Sequence, residues 1–338
     1  MRQVDVLIDG DPLVYRIGFS LQSHIYYLQW RDVDPEHMDE PGHDTYRTAM
    51  FYNAAARDRY INLQGLHKDE WGSVMDAVPI GDESIVFGRV KQTLRDIENR
   101  VGAYLYEHDS QIGTVRVFLS GTENFRNQVA TITKYKGSRD KTTRPYWYSA
   151  IREYLIMHWG AEVSDGIEAD DTVSILQWQA EQGDTIICTI DKDLLNVPGH
   201  HYNYMKKEAR FVSYKDAMLR FYRQILTGDS TDDIPGCKKI GPVAAAKILP
   251  EWKPESTMYI AVLRAYVANV TVYPEHHGPY GDSTTSPVDG ARASLLENAR
   301  LVFMLTKEDE LWSPPGVENQ SIKRFLAAPT PEEFKESL

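Results

Sequence analysis

Along the chain, apolar runs of strand length alternate with segments of helical period. Residues 3–11, QVDVLIDGD, read as a buried parallel strand ended by a glycine turn. LVYRIGFSLQ follows with helical spacing. Between about Trp30 and Asp82 the pattern weakens into an acidic tract, RDVDPEHMDEPGHD, and a polar helical stretch from Tyr46 to Leu63, which reads as an insertion or mobile elaboration. Helical period returns where Ile85, Val86, Val90, Leu94, Ile97 and Val101 fall on one face. TVRVFLS then reads as a second buried strand, Pro145 to Trp159 as a helix opened by proline, Ala169 to Gln182 as another helix, and DTIICTI as a third strand. This alternation predicts an α/β fold with a mostly parallel, doubly wound central sheet, helices on both faces and functional groups along the carboxyl edge of the strands.

Further on, FYRQILTGDSTDDIPGCKKIGPVAAAKIL predicts helix, glycine-bounded turn, helix, with Gly236 and Gly241 bracketing the turn and Pro242 opening the second helix. Thr271 to Gly290 is rich in Pro, Gly, Ser and Thr and reads as a loop-like insert before the helix SLLENARLVFMLTK. There are no internal repeats. With 338 residues, one large domain with a helical appendage and two unequal lobes both fit. The division expected is an α/β core over 1–200, with the insertion around 30–82 and a basic arch around 124–145, then a helical region over 201–338.

Chemistry enters through acidic side chains. Four short clusters lie at or just after apolar runs: Asp9 with Asp11; Glu168, Asp170 and Asp171; Asp191 with Asp193; and Asp229, Asp232 and Asp233. Carboxylates taken out of water are costly unless paired or bound to a cation. An all-oxygen donor set suits Mg²⁺ or Mn²⁺ and not zinc, so the pattern points to metal-assisted phosphoryl chemistry, with two ions as in in-line phosphodiester displacement. The plainer alternative for each residue is a helix cap or a surface turn, as GIEADD at a helix start would allow. His24, His37, His43, His276 and His277 lack zinc-like spacing, and no acyl-transfer, Walker or dinucleotide signature is present.

The net charge of −12 opposes binding to phosphate at long range. Its distribution changes the picture: KYKGSRDKTTR, residues 134–144, places Lys134, Lys136, Arg139, Lys141 and Arg144 against the single acid Asp140. This segment is either a phosphate-gripping loop or a solvated one, and Phe125 and Tyr135 beside it are base-stacking or packing residues. Backbone amides of GCKKIGP, with Lys238, Lys239 and Lys247 nearby, offer sequence-independent phosphate contacts, and the same turn is also a plain αα-hairpin. Cys188 and Cys237 are the only cysteines, which fits a reducing cytoplasm, and neither a secretory signal nor an apolar run of bilayer length is evident.

IDGD, FR followed by YKGSR, GIEADD, TIDKDLL and ILTGDSTDDIPGCKKIGPVAAAKIL together resemble the 5′→3′ exonucleases and flap endonucleases of bacteriophages and of bacterial DNA polymerase I, over most of residues 4–250. The resemblance implies a PIN-like nuclease core with a helix-turn-helix (H3TH) element around 219–250. It implies a first metal on Asp9, Glu168 and Asp170 and a second on Asp170, Asp191, Asp193 and Asp229, with Asp171 and Asp232 as further or outer ligands. Lys136 and Arg139 match the family's basic pair above the active site. Arg126, Lys134, Tyr135, Lys141, Arg144, Gly236, Lys238, Lys239, Gly241 and Lys247 are the DNA contacts expected on this basis, with K⁺ at the helix-turn-helix.

Two positions depart from that pattern: Ser120 stands where the family has Asp, with Glu123 three residues on as a substitute, and Asp233 where it often has Asn. The expected activity is metal-dependent hydrolysis of branched, flap or 5′-ended DNA by a monomeric phage protein in the host cytoplasm, with RNA–DNA hybrid as a further substrate. The rivals are a noncatalytic branched-DNA binder, which Ser120 motivates, and an RNase H-like ribonuclease.

Overall fold

The computed structural model describes residues 1–32, 45–67, 70–141, 143–269 and 287–315. Most of the acidic tract after Trp30, nearly all of the insert at 271–290, and His37, His43, His276 and His277 lie outside the described residues. In chain order the elements are β1 (Arg2–Asp9), α1 (Asp11–Ser20), β2 (Gln22–Asp32), β3 (Thr45–Phe51), α2 (Ala54–Gln64), β4 (Trp71–Pro79), α3 (Glu83–Tyr106) and β5 (Ser110–Ser120). The one-turn α4 (Arg126–Val129), α5 (Tyr148–Trp159), β6 (Glu162–Ser164), α6 (Ala169–Gln179), β7 (Thr185–Cys188), β8 (Gly199–Asn203) and β9 (Glu208–Val212) follow. The chain goes on through α7 (Tyr214–Thr227), α8 (Pro242–Ile248), α9 (Glu255–Ala268) and α10 (Pro287–Val302). Contacts divide it into two compact units, Met1–Pro12 with Arg95–Thr143 and Leu155–Leu338, and Leu13–Leu94 with Arg144–Tyr154.

In the first unit, a six-stranded sheet runs β6-β5-β1-β7-β8-β9. Every pairing is parallel except β8 with β9, as the alternation of apolar runs and helical segments predicts. β1 is central: Val6, Leu7 and Ile8 are at most 1% exposed, which requires cover on both faces and explains the continuous apolar run. Because the register pairs Asp9 with Phe118 and Ile8 with Cys188, Asp9 and the residues just beyond Cys188 reach the same carboxyl edge. Gly10 permits the turn there, since a Cβ would stand 2.7 Å from the Phe118 carbonyl oxygen. α7, α9 and α10 share a separate core built on Phe221, Tyr222, Ile225, Val262 and Leu295.

The second unit corrects an expectation. Residues 30–82, read as an insertion or mobile elaboration with a polar helical stretch from Tyr46 to Leu63, instead contribute the end of β2 and all of β3 and β4 to an antiparallel sheet of order β3-β2-β4, and the helix begins only at Ala54. Cross-strand aromatic and apolar pairs such as Tyr26 with Phe51 and Tyr27 with Met50 and Val74 supply what periodicity along one strand does not display. Asn53 caps α2 by accepting from the Ala56 N–H at 2.8 Å, and Gly65 closes it with φ 63°.

Smaller differences are local. On α3, Val86, Val90, Leu94, Ile97 and Val101 are buried as the period demands, but Ile85, in the first turn, is 52% exposed. α5 starts at Tyr148, after a turn that Pro145 opens, and α6 stops at Gln179. No helix among the described residues is long and apolar enough to cross a membrane.

Candidate metal centre

The first carboxylate group sits where the chain leaves β6 and enters α6. Ligand atoms of Glu168, Asp170 and Asp171 all lie within 4.8 Å of one another. Free amides and the helix dipole favour acids here, yet the three are not equivalent. Asp171 is fully buried and clasped by Arg126, with Nη1 and Nη2 at 2.5 and 2.9 Å from its two oxygens. It also accepts from the Glu168 and Leu305 N–H groups, so its lone pairs are committed within the protein.

Glu168 accepts hydrogen bonds from Lys136 Nζ and, at 2.8 Å, from the Tyr135 hydroxyl. Burial alone would raise its pKa, but the Lys136 and Arg126 charges outweigh this and hold it at about 2. Asp170 has the opposite balance. Burial, reinforced by Glu168 and Asp171, pushes its pKa well above the usual range, and its Oδ1 is buried with no hydrogen-bond partner. An orphaned carboxylate oxygen beside two further acids is costly on its own and is the feature a cation would relieve.

The second group gathers at the ends of β1 and β7 and after α7. Asp9 is 3% exposed, and burial with the nearby charges of Asp11 and Asp191 raises its pKa strongly. The Thr189 hydroxyl donates to Asp9 Oδ2 at 2.9 Å and accepts from the Asp191 N–H at 2.9 Å, tying the two acids into one frame. Asp191 in turn accepts from the Asp193 N–H at 2.8 Å. Burial and Asp191 push Asp193 up to about 6.

Asp229 is delivered by a turn that needs glycine twice. Gly228 and Gly236 have φ 65° and 67°, and a Cβ on either would meet backbone atoms at 2.1 and 2.3 Å. Burial disfavours the Asp229 charge, but Lys192 Nζ at 2.6 Å and the Thr231 N–H at 2.8 Å lower its pKa overall. Gln224, oriented by Asn196 at 2.6 Å, donates to Asp193 at 3.0 Å and Asp229 at 3.4 Å. Asp232 pairs with Arg139 and accepts from Tyr135 at 3.2 Å, while Asp233, at φ 58°, accepts from the Ser138 N–H at 2.7 Å.

Several residues expected at a DNA surface are elsewhere. Arg126 is 1% exposed, with Nε and Nη2 donating to the Leu301 and Phe303 carbonyls at 3.0 and 2.9 Å, so no face of its guanidinium is open to a phosphate. Tyr135 is 6% exposed and packs in the helical core, which removes it as a stacking platform. The Gly236 N–H is buried on Asn298 Oδ1 at 2.8 Å, so this glycine shapes the turn and offers no amide to DNA. Lys134, Lys239, Gly241 and Lys247 are exposed and Lys238 is half-buried. Arg144, in the second unit, is exposed with its guanidinium 4.7 Å from the Tyr148 ring centroid, and the Lys141 side chain lies outside the described residues.

Ser120 has work of its own: its hydroxyl accepts the Ala169 N–H at 2.9 Å, anchoring the start of α6 to β5, while Glu123 is exposed. Thr189, Lys192 and Gln224 were not singled out by sequence reasoning. Lys192 had a signal, as the one cation between two acids in TIDKDLL, and so had Gln224, a polar residue inside the buried run of α7.

No family model matches the chain. Among curated proteins it is 28% identical over 191 residues to DNA polymerase I of Rhizobium leguminosarum, covering 52% of this chain and 18% of that protein. It is 29% identical over 150 residues to the thermostable DNA polymerase I of Thermus aquaticus, covering 40% and 18%. A 5′-3′ exonuclease of Buchnera aphidicola is 31% identical over 105 residues, covering 28% and 37%. The resemblance read from the motifs is borne out. The chain spans less than a fifth of the length of these polymerases. Among solved structures, a zinc-bound T5 5′-exonuclease aligns at 14% identity and a TM-score of 0.41, over 65% of this chain and 87% of that one.

Proposed function

We propose that the chain is a metal-dependent, structure-specific 5′ nuclease that hydrolyses phosphodiester bonds in branched, flap or 5′-ended DNA. The observation that carries this reading is the orphaned Oδ1 of Asp170, buried beside Glu168 at the carboxyl edge of a mostly parallel sheet. The oxygen-only donor set fits Mg²⁺ or Mn²⁺. Asp9, Glu168 and Asp170 would hold one ion and Asp170, Asp191, Asp193 and Asp229 a second, with Asp171 and Asp232 behind them. Such ions activate a water and stabilise the leaving oxygen of an in-line displacement.

The protein's own groups do the rest. Thr189 fixes Asp9 against Asp191, and Gln224 spans Asp193 and Asp229, so the acids are oriented before any ligand arrives. Lys136 and Arg139, held on Glu168 and Asp232, exchange those carboxylates for the scissile phosphate, Lys as a point charge and Arg as a fork. Lys238, Lys239 and Gly241 on the α7–α8 turn, where we also place K⁺, and Lys247 in α8 grip the duplex backbone, joined by Lys134 and Lys141, and Arg144 in the second unit is a separate backbone contact.

The proposal includes an α/β core over 1–200, which β8 and β9 carry on to Val212, and a helical region over the rest of 201–338. It also includes the monomeric state, action on RNA–DNA hybrids such as primers, and a phage protein's place in the bacterial cytoplasm. The test is cleavage of a 5′-labelled flap duplex with Mg²⁺, Mn²⁺ or EDTA. Metal-dependent cutting that disappears in Asp191→Asn is the expected result. A wild type that binds the flap and never cuts sinks the nuclease reading and leaves a noncatalytic DNA binder.

A further inference from the structure

Beside the second carboxylate group a half-open cavity of about 410 Å³ lies along α7, and Lys192, Asp216, Arg220, Arg223, Gln224 and Ala246 are among its lining residues. Three of these are cations and one is an acid. Asp216 is engaged locally, accepting from the Ser213 hydroxyl at 2.6 Å at the start of α7. Arg223 directs Nε and Nη2 at the Leu249 carbonyl, 2.9 and 2.7 Å away. Lys192 is on Asp229.

Arg220 differs from both other cations. Its Nε is buried with no hydrogen-bond partner among the described residues. Burial lowers its pKa, and the neighbouring Arg210 charge lowers it further, against opposing pulls from Asp193, Asp191 and Asp229. A half-buried guanidinium with an unmet donor is destabilising in the free protein, and its planar fork of donors matches a phosphate. The volume falls within the ~300–1,000 Å³ of small-ligand pockets, and Lys192 and Gln224 belong both to this lining and to the Asp193–Asp229 frame.

We propose that this cavity is a phosphate-ester subsite adjoining the metal centre, with Arg220 as the contacting residue. It rests on the nuclease reading only for the origin of the phosphate. Two sources share the chemistry: an internal phosphodiester of a bound strand and the terminal phosphate of a nucleotide.

The test measures affinity in EDTA, where nothing is cut, for an octathymidylate lacking terminal phosphates and for thymidine 5′-monophosphate. Expected for at least one probe is a loss of about tenfold or more, 1.4 kcal/mol, in Arg220→Gln. Arg220→Lys should recover part of it, and the Arg220→Gln melting temperature should be unchanged or higher because an unmet buried donor is gone. Ala246→Glu, which puts a negative charge on the wall, should weaken the same probe without touching Arg220. Loss confined to the octamer assigns an internal diester, and loss confined to the mononucleotide assigns a terminal phosphate. The subsite is overturned if wild type binds neither probe, or if Arg220→Gln keeps wild-type affinity for both. A wild type that binds through Arg220 but never cuts a flap with Mg²⁺ leaves the subsite standing and removes the nuclease reading alone.

Discussion

Arg126 and Asp171 form a fully buried, two-point ion pair, 1% and 0% exposed in their side chains, immediately behind the candidate metal ligands Glu168 and Asp170. The same guanidinium holds the carbonyls of Leu301 and Phe303, so the end of α10 and the residue after it are stitched to the start of α6 through one side chain. Removing one partner of such a pair strands the other charge in the interior, at a cost of about 3–5 kcal/mol. Arg126→Met is therefore expected to lower the urea midpoint by that equivalent. Arg126→Lys should not restore it, since an ammonium cannot span both Asp171 oxygens and two carbonyls. An Arg126→Met protein as stable as wild type would mean that the pair is not formed.

Asp170 gives a prediction of opposite sign. Its charge is disfavoured by burial, Glu168 and Asp171, so Asp170→Asn should leave the metal-depleted protein as stable as wild type or more so. In wild type, Mn²⁺ at a hundredfold excess over Kd should add about 2.7 kcal/mol to stability. That gain should vanish or shrink sharply in Asp170→Asn. Thermal melts with Mn²⁺ and with EDTA read both effects. An equal Mn²⁺ shift in the two proteins would place the ion elsewhere.

His201 controls part of the acid response. It is 3% exposed, one ring nitrogen lies 2.8 Å from the Val197 carbonyl, and burial lowers its pKa from 6.5 to about 4. The unfolded chain thus binds the proton first as pH falls. The stabilisation from neutral His201 is complete above pH 6.5 and is lost progressively down to about 4, a swing of about 3 kcal/mol. Asp193, raised to about 6, works the other way, being most favourable to the fold below its ordinary range and least favourable above pH 6. The diagnostic quantity is therefore the difference between wild type and His201→Gln, which should shrink by about 3 kcal/mol from pH 7 to pH 4 in denaturant titrations. A pH-independent difference contradicts a buried neutral imidazole.

The parallel core was legible because β1, β5 and β7 carry apolar runs that only a strand covered on both faces requires, and the carboxylates were legible by type and place. The β2–β3–β4 sheet was not, because its evidence lies in cross-strand pairs such as Tyr26 with Phe51, which no window along the chain contains. Arg126 and Tyr135 were misplaced for a related reason. A cation next to an aromatic reads as surface until Asp171, Leu301 and Glu168, 33 to 175 residues away, are seen to meet their polar atoms.

Ser120 permits the sharpest test of the proposed first metal site. Its hydroxyl accepts the Ala169 N–H at 2.9 Å, a bond that a carboxylate could keep while adding a negative charge at the N-terminus of α6, beside Glu168 and Asp170. Without metal, Ser120→Asp should be less stable than wild type, because one more like charge joins acids that already repel. With Mg²⁺ it should bind the ion more tightly and cut a flap at lower Mg²⁺ concentration. Titrating cleavage rate against Mg²⁺ for both proteins checks this. A midpoint that stays put while stability falls would show that Ser120 serves only to anchor α6 and takes no part in the site's affinity for metal.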